Sequence, residues 1–254
     1  MLRWDKLLAQ EVFEFIFIFT RLSGAFLFMP VFASNYISRR IRLLFAVILA
    51  LMLMPVLSKL LPAMPGNVLE LARLLVIEAT VGLFLGLFPY FLLSALDLVG
   101  TAASQATGFS NATAFDPTTS VQSTLLTTFL TLTGLVLIVI TDTHYIMLGS
   151  LIASYDLFPP GQSLLTGDMS QQLASGLSRA FLYGFQIGSP FIIMTVLLYS
   201  SMGVMSRLMP QLNIMFVVMP LQVYLGLALL MISLSMMMQW FLRFFADGIR
   251  PFAM

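Results

Sequence analysis

Apolar residues gather into six long runs along the chain, at roughly 12–33, 43–61, 71–98, 125–152, 180–203 and 212–242. Each is near or above the ~20 residues with which an α-helix crosses a hydrocarbon core. The runs are continuously apolar and lack the two-residue alternation of barrel strands, so they predict helices rather than a β-barrel. Between them lie stretches at 34–42, 62–70, 99–124, 153–179 and 204–211. None of these reads as a soluble domain, and no internal repeat stands out. The pattern predicts an all-α membrane protein, a single unit over residues 1–254 with about six hydrophobic, proline-bent helices in hairpins.

Prolines modify that picture. Pro30, Pro55, Pro89, Pro190 and Pro220 lie inside or at the ends of apolar runs, where each removes a backbone hydrogen bond and bends a helix. Residues 71–104 as one straight helix would measure about 50 Å at ~1.5 Å per residue, too long for a simple span. The expectation is therefore broken helices packed against other protein, with freed carbonyls satisfied by protein or cavity water.

Composition agrees with the pattern. The 254 residues are 59% hydrophobic and 9% charged, with a mean hydropathy of +0.99, against about 25% charged residues in soluble domains. There is no cysteine, hence no disulfide framework or thiolate chemistry. A single histidine, His144, argues against a histidine-based metal site, and no cofactor is expected. A net charge of +1 leaves no basic face for nucleic acid. The N-terminal MLRWDKLLAQEVFEFIF mixes acids with bases and has no small-residue cleavage site, so it reads as mature chain.

Loop charges give conflicting orientations. Arg39, Arg40 and Arg42, with Arg207 on the same side, place loops 1 and 5 in the cytoplasm. Arg3, Lys6, Lys59, Arg73, Arg179, Arg243 and Arg250 fall on the opposite side and outnumber them. A chain inserted as part of an assembly need not obey lipid topology alone.

Within the apolar runs, or at their ends, stand Glu14, Arg21, Glu78, Asp97, Asp142 and His144. Each acid or arginine at a bilayer centre costs around 2.5–3.5 kcal/mol on insertion scales, so these residues are expected to be buried against protein or to face water. Glu14 and Arg21 lie two turns apart on one helix face, placed to pair or to reach a neighbour. Asp142 and His144 invite a proton-relay reading, but at i, i+2 they point about 200° apart on a helix. Interhelical hydrogen bonds or a place at the membrane boundary are the plainer account.

Two G-x-x-x-G matches, Gly82–Gly86 and Gly184–Gly188, would let helix backbones approach closely. The motif also arises by chance in apolar sequence. The eighteen methionines are adaptable packing residues, with sealing as the minority role. No nucleophile–base pair, carboxylate dyad or phosphate loop is present, so the chain does not read as an enzyme.

The segment ATGFSNATAFDPTTSVQS, residues 106–123, is long and polar yet carries one charge, Asp116. Gly108, Asn111 and Asp116 favour turns, and Pro117 blocks a helix at Asp116 while suiting the first position of a new one. Two readings fit. In one, the segment folds into an aqueous passage, with Phe109 and Phe115 as a dry constriction. In the other it is a surface loop whose phenylalanines tuck beneath it.

The chain resembles the FliR family of flagellar export-gate proteins, whose injectisome counterparts are called SctT. The resemblance covers essentially the whole chain. It rests on Gln105–Pro117 (QATGFSNATAFDP), Asp142-Thr143-His144, Ser154–Gly161 (SYDLFPPG), and Arg207-Leu-Met-Pro210-Gln211-Leu-Asn213 leading to Met219-Pro220-Leu221 and Gly226. Pro30 followed by Arg39-Arg40-Ile-Arg42 matches the family's first loop. The Arg-x-x-Pro-Gln-x-Asn block is the specific signal on its own.

The resemblance implies one copy of this chain beside five FliP-like and four FliQ-like subunits, with an FlhB-like protein attached. Such a complex forms the entry pore for unfolded export substrates at the flagellar basal body in the bacterial inner membrane. It implies a FliP-like part over 1–178 and a FliQ-like hairpin over 179–254. The loop at 105–122 becomes a pore plug, carrying Gln105, Phe109, Asn111, Phe115, Asp116 and Pro117. Arg207, Pro210, Gln211, Asn213 and Pro220 then lie at the cytoplasmic mouth against partners. Commoner family members have Gly-rich, Met-containing sequence where this chain has Ala103-Ser104-Gln105-Ala106-Thr107. The alternatives are an injectisome subunit of the same family and a stand-alone secondary transporter.

Overall fold

The computed structural model describes residues 2–34, 36–110, 125–162, 166–209, 211 and 214–252. Its elements are helical: α1 (Leu2–Phe26), α2 (Arg39–Leu57), α3 (Val68–Ala106), α4 (Leu125–Ile140), α5 (Thr143–Leu157), α6 (Thr166–Leu208) and α7 (Ile214–Ile249), then a 3-10 turn (Arg250–Phe252). Among the described residues four helices are long and apolar enough to cross a membrane, or five if α4 and α5 count as one span. The chain is an all-α membrane protein. The helix over the first expected run, α1, is not in that set; it carries Glu11, Glu14 and Arg21 along its length.

Local chemistry sets the helix starts. The Ile41 N–H donates to the Ser38 hydroxyl at 3.4 Å in front of α2, and the Leu69 N–H donates to Asn67 Oδ1 at 3.0 Å in front of α3. Pro30 lies in the turn that follows α1, whereas the other four prolines do not end their helices. Helical assignment runs unbroken through Pro55, Pro89, Pro190 and Pro220. At Pro190 the physical reason is visible: the missing N–H frees the Gln186 carbonyl, and the Ser189 hydroxyl donates to it at 2.8 Å. The run expected as one helix over 125–152 breaks instead at Thr141–Asp142. There Asp142 takes a left-handed conformation (φ 58°) that an aspartate tolerates. Likewise α6 starts at Thr166, well before the expected 180, so the polar stretch TGDMSQQLASGLSR is helix rather than loop.

The chain forms two compact units, each drawn from several segments. The first comprises residues 1–91, 139–177 and 246–254; the second comprises 92–138 and 178–245. In the first, α2 presents Ala46, Ala50, Leu53 and Leu57 inward on one face, and α1 packs on it. Phe26, Phe32 and Phe45 form a cluster with centroids 4.9–5.5 Å apart. The C-terminal turn brings Phe252 onto Phe84 and Phe88.

In the second unit the C-terminal half of α3 is the axis. Gly134 of α4 lies against Leu96 and Phe241, Gly100 against Thr127, and Gly184 against Ala95 and Leu98. Tyr183 stacks on Phe244 with centroids 4.1 Å apart, tying α6 to α7.

Candidate functional site

Close helix approach in the first unit creates a buried charge cluster. A Cβ on Gly82 would run into the Arg21 carbonyl, and one on Gly86 into the Ala25 carbonyl. Gly24 faces Ala79 and Leu83 in return. α1 and α3 thus meet backbone to backbone, which brings Arg21 to Glu78. Arg21 Nε donates to Glu78 Oε2 at 2.5 Å and Nη2 to Oε1 at 3.0 Å, a two-pronged contact. Nη1 donates to the Ser154 hydroxyl and Nη2 to the Phe158 carbonyl, both at 3.1 Å. The guanidinium carbon sits 3.9 Å from the centre of the Tyr155 ring. Arg21 and Glu78 are 1% and 0% exposed, so the charges are wholly withdrawn from water.

The other expected intramembrane groups fall elsewhere. Glu14 does not pair with Arg21; it accepts from Gln10 Nε2 at 2.9 Å, half-buried. Asp142 is exposed on this chain rather than buried, because it occupies the break in front of α5. His144 is half-buried beside Tyr145, and its Nδ1 is enclosed without a partner. Asp97 is also exposed rather than buried, and accepts from the Thr131 hydroxyl at 2.9 Å.

Asp97 belongs to a pattern in the second unit. Asp97, Thr101 and Gln105 follow one another at four-residue steps on the mostly apolar C-terminal half of α3, all exposed. This polar stripe ends where the polar segment 106–123 begins, and the first residues of that segment are pinned. Buried Gln222 of α7 donates its amide to the Gln105 carbonyl at 2.9 Å. Thr107, fully buried, donates to the Ala103 carbonyl at 3.0 Å. Gly226 lies where a Cβ would press on the Thr107 backbone at 2.9–3.1 Å. Gly108 adopts φ +75°, with the Gln222 amide 3.3–3.4 Å from where a Cβ would sit. Phe109 follows, half-buried. Asn111, Phe115, Asp116 and Pro117, and the helix start expected at Asp116–Pro117, lie outside the described residues.

Of the expected partner turn, Arg207 ends α6 exposed, Gln211 is exposed, and Pro220 is exposed within α7; Pro210 and Asn213 lie outside the described residues. Gly184 and Gly188 both face α3, at Ala95/Leu98 and at Val99/Ala102. Sequence reasoning missed Gln222, Ser154 and Tyr155 as partners. The signal for Gln222 was a lone amide in an apolar helix. Among the described residues no group of three or more histidines or acids could hold a metal.

These features define a class: a polytopic helical membrane protein whose polar groups, among the described residues, serve helix packing and hold the residues that follow α3. The family "Bacterial export proteins, family 1" matches residues 12–248. Flagellar biosynthetic protein FliR of Caulobacter vibrioides is 30% identical over 227 residues, covering 89% of this chain and 90% of that protein. FliR of Bacillus subtilis is 28% identical, covering 87% and 86%; that of Escherichia coli is 23% identical, covering 79% and 76%. The chain belongs to this family, as a FliR-type export protein of flagellar biosynthesis.

Proposed function

We propose that the chain is the single-copy FliR-type subunit of the flagellar export gate in the bacterial inner membrane. In this reading five FliP-like and four FliQ-like subunits surround it, an FlhB-like protein attaches, and unfolded export substrates pass through the shared pore. Residues 1–178 play the FliP-like part and 179–254 the FliQ-like hairpin. The loop at 105–122 is the plug, with Phe109 and Phe115 as its dry constriction, and the turn from Arg207 to Asn213 with Pro220 meets partners at the cytoplasmic mouth.

One observation supports the plug: the stripe Asp97–Thr101–Gln105 leads along the C-terminal half of α3 to the polar segment, and Gln222 holds the Gln105 carbonyl where that segment begins. A carboxylate facing lipid is costly, whereas one facing a wet passage is not. The polar loop continues that wet surface and supplies two apolar stoppers. The flagellar reading is favoured over the injectisome one because the similar proteins are named for flagellar biosynthesis.

The test is ion conductance of the substrate-free complex in planar bilayers. Phe109→Ala with Phe115→Ala should turn a silent complex into a leaky one. Unchanged conductance would place the seal elsewhere. Purification of the chain as a stable monomer, without other small membrane subunits, would overturn the assembly itself.

A further inference from the structure

The first unit holds a groove that the gate reading does not use. It lies between α1 and α2, encloses about 470 Å³, and is lined by Phe19, Phe26, Leu27, Leu43, Arg39 and Arg42. We propose that this groove binds an anionic phospholipid, with the headgroup phosphate held by Arg39 and Arg42 and an acyl chain laid along the apolar floor.

Charge is the first argument. Arg39, Arg40 and Arg42 crowd the first turn of α2, with no acidic residue in that turn. The positive end of the helix dipole lies there too, which makes the crowding worse until an anion arrives. Among the described residues the ion pairs are Arg21–Glu78 and Arg250–Asp247, so none of the three arginines has a carboxylate. Arg42 is the half-buried one of the three. Among the described residues its Nε is enclosed without a partner, and its Nη2 donates to the Ser34 carbonyl at a long 3.4 Å.

Shape and surroundings are the second argument. Apart from its arginines and Ser23, whose hydroxyl donates to the Thr20 carbonyl, the groove is apolar, and Leu27 and Leu43 on its walls are 56% and 59% exposed. The outward side of α2 beside the groove is apolar as well, with Leu44, Ile48 and Leu51 at 57%, 47% and 54% exposed. Inorganic phosphate would use the arginines and leave this floor wet. A neutral lipid would use the floor and leave the cations unpaired. An amphiphile with a negative head matches both, and a helix that starts with its arginines sets them where headgroup phosphates lie.

Native mass spectrometry of the complex purified through this subunit tests the site, with dioleoylphosphatidylglycerol and dioleoylphosphatidylcholine offered in equal amounts. The wild-type complex should retain phosphatidylglycerol selectively. R39Q with R42Q should weaken that retention about 25-fold, a factor of about five for each arginine lost near an anionic headgroup. L27W, which fills the groove and leaves the arginines intact, should also lose it. Equal retention of the two lipids, or full retention by both variants, overturns the proposal. Displacement of the lipid by inorganic phosphate alone overturns the acyl bed. Loss of assembly in R39Q/R42Q together with crosslinks from Leu43 to another subunit shows a protein in the groove, and overturns it as well. None of these results bears on the plug, so the two readings fail separately.

Discussion

Removing one partner of the buried pair in the first unit is the sharpest test of how α1 and α3 are held. Arg21→Ala leaves the Glu78 carboxylate, 0% exposed, with neither of its donors at 2.5 and 3.0 Å. It also strips a donor from the Phe158 carbonyl and a cation from the Tyr155 ring. Stranding one charge of a buried pair costs about 3–5 kcal/mol, so loss of stability in that range is expected. The helices cannot slide to rescue the carboxylate, since Gly82 and Gly86 already lie against the backbone of α1.

Arg21→Met combined with Glu78→Leu separates charge from packing. With both charges gone the desolvation penalty disappears, and well-packed apolar replacements of a buried pair are often neutral. What remains is the Phe158 carbonyl without its donor, about 1–3 kcal/mol. The double variant should therefore be more stable than Arg21→Ala. Glu14→Gln, half-buried and, among the described residues, bonded to Gln10 alone, serves as a control worth less than about 1 kcal/mol. Thermal unfolding of the detergent-purified complex reads the order, with Arg21→Ala lowering the midpoint by on the order of 10 °C. Strict additivity of Arg21→Met and Glu78→Leu would refute the coupling. So would a midpoint for Arg21→Ala equal to that of Glu14→Gln.

The two glycines of α6 should separate under alanine substitution. At Gly184 the new methyl would lie 2.9 Å from the Ala95 carbonyl oxygen, a backbone atom that cannot move aside, so the cost is about 1–3 kcal/mol and complex yield falls. At Gly188 it would meet Ala102 Cβ at 3.6 Å, ordinary contact, so Gly188→Ala should be neutral or gain up to about 1 kcal/mol of helix propensity; equal yields and midpoints for the two would contradict the packing. Gln222→Leu removes the amide from the Gln105 carbonyl, which keeps the Gly108 N–H at 3.1 Å. Stability should drop by only about 1 kcal/mol, while hydrogen exchange at residues 105–110 speeds up. Unaltered exchange there would mean that Gln222 does not pin the loop.

What the sequence made legible was local, and what it hid was register. The cost of a charge in apolar sequence marks Arg21 and Glu78 as residues that must be satisfied, yet spacing along one helix offers Glu14 as a partner. The true partner is 57 positions away, chosen by the depth at which α1 meets α3. That depth is set by Gly24, Gly82 and Gly86, whose smallness is readable although the backbone they touch is not. The prolines leave helix ends undetermined for a related reason. A proline removes one hydrogen bond, but whether the helix breaks depends on who takes the freed carbonyl, and at Pro190 the adjacent Ser189 does so. At Asp142 no proline was needed, because an aspartate tolerates a left-handed turn that hydropathy does not register.

Gln222 shows how such misses can be turned into inference. An amide in an apolar helix carries two donors and an acceptor that lipid cannot satisfy. Its presence therefore demands a polar partner on a neighbouring element, just as a buried charge does at higher stakes. Helix ends are where unpaired carbonyls collect, so the search narrows to the few helix C-termini within reach. In this chain that route leads from Gln222 to the end of α3 at Ala106, where the polar segment 106–123 begins. A glycine four residues on, Gly226, then lets α7 approach Thr107 closely enough for the bond to form.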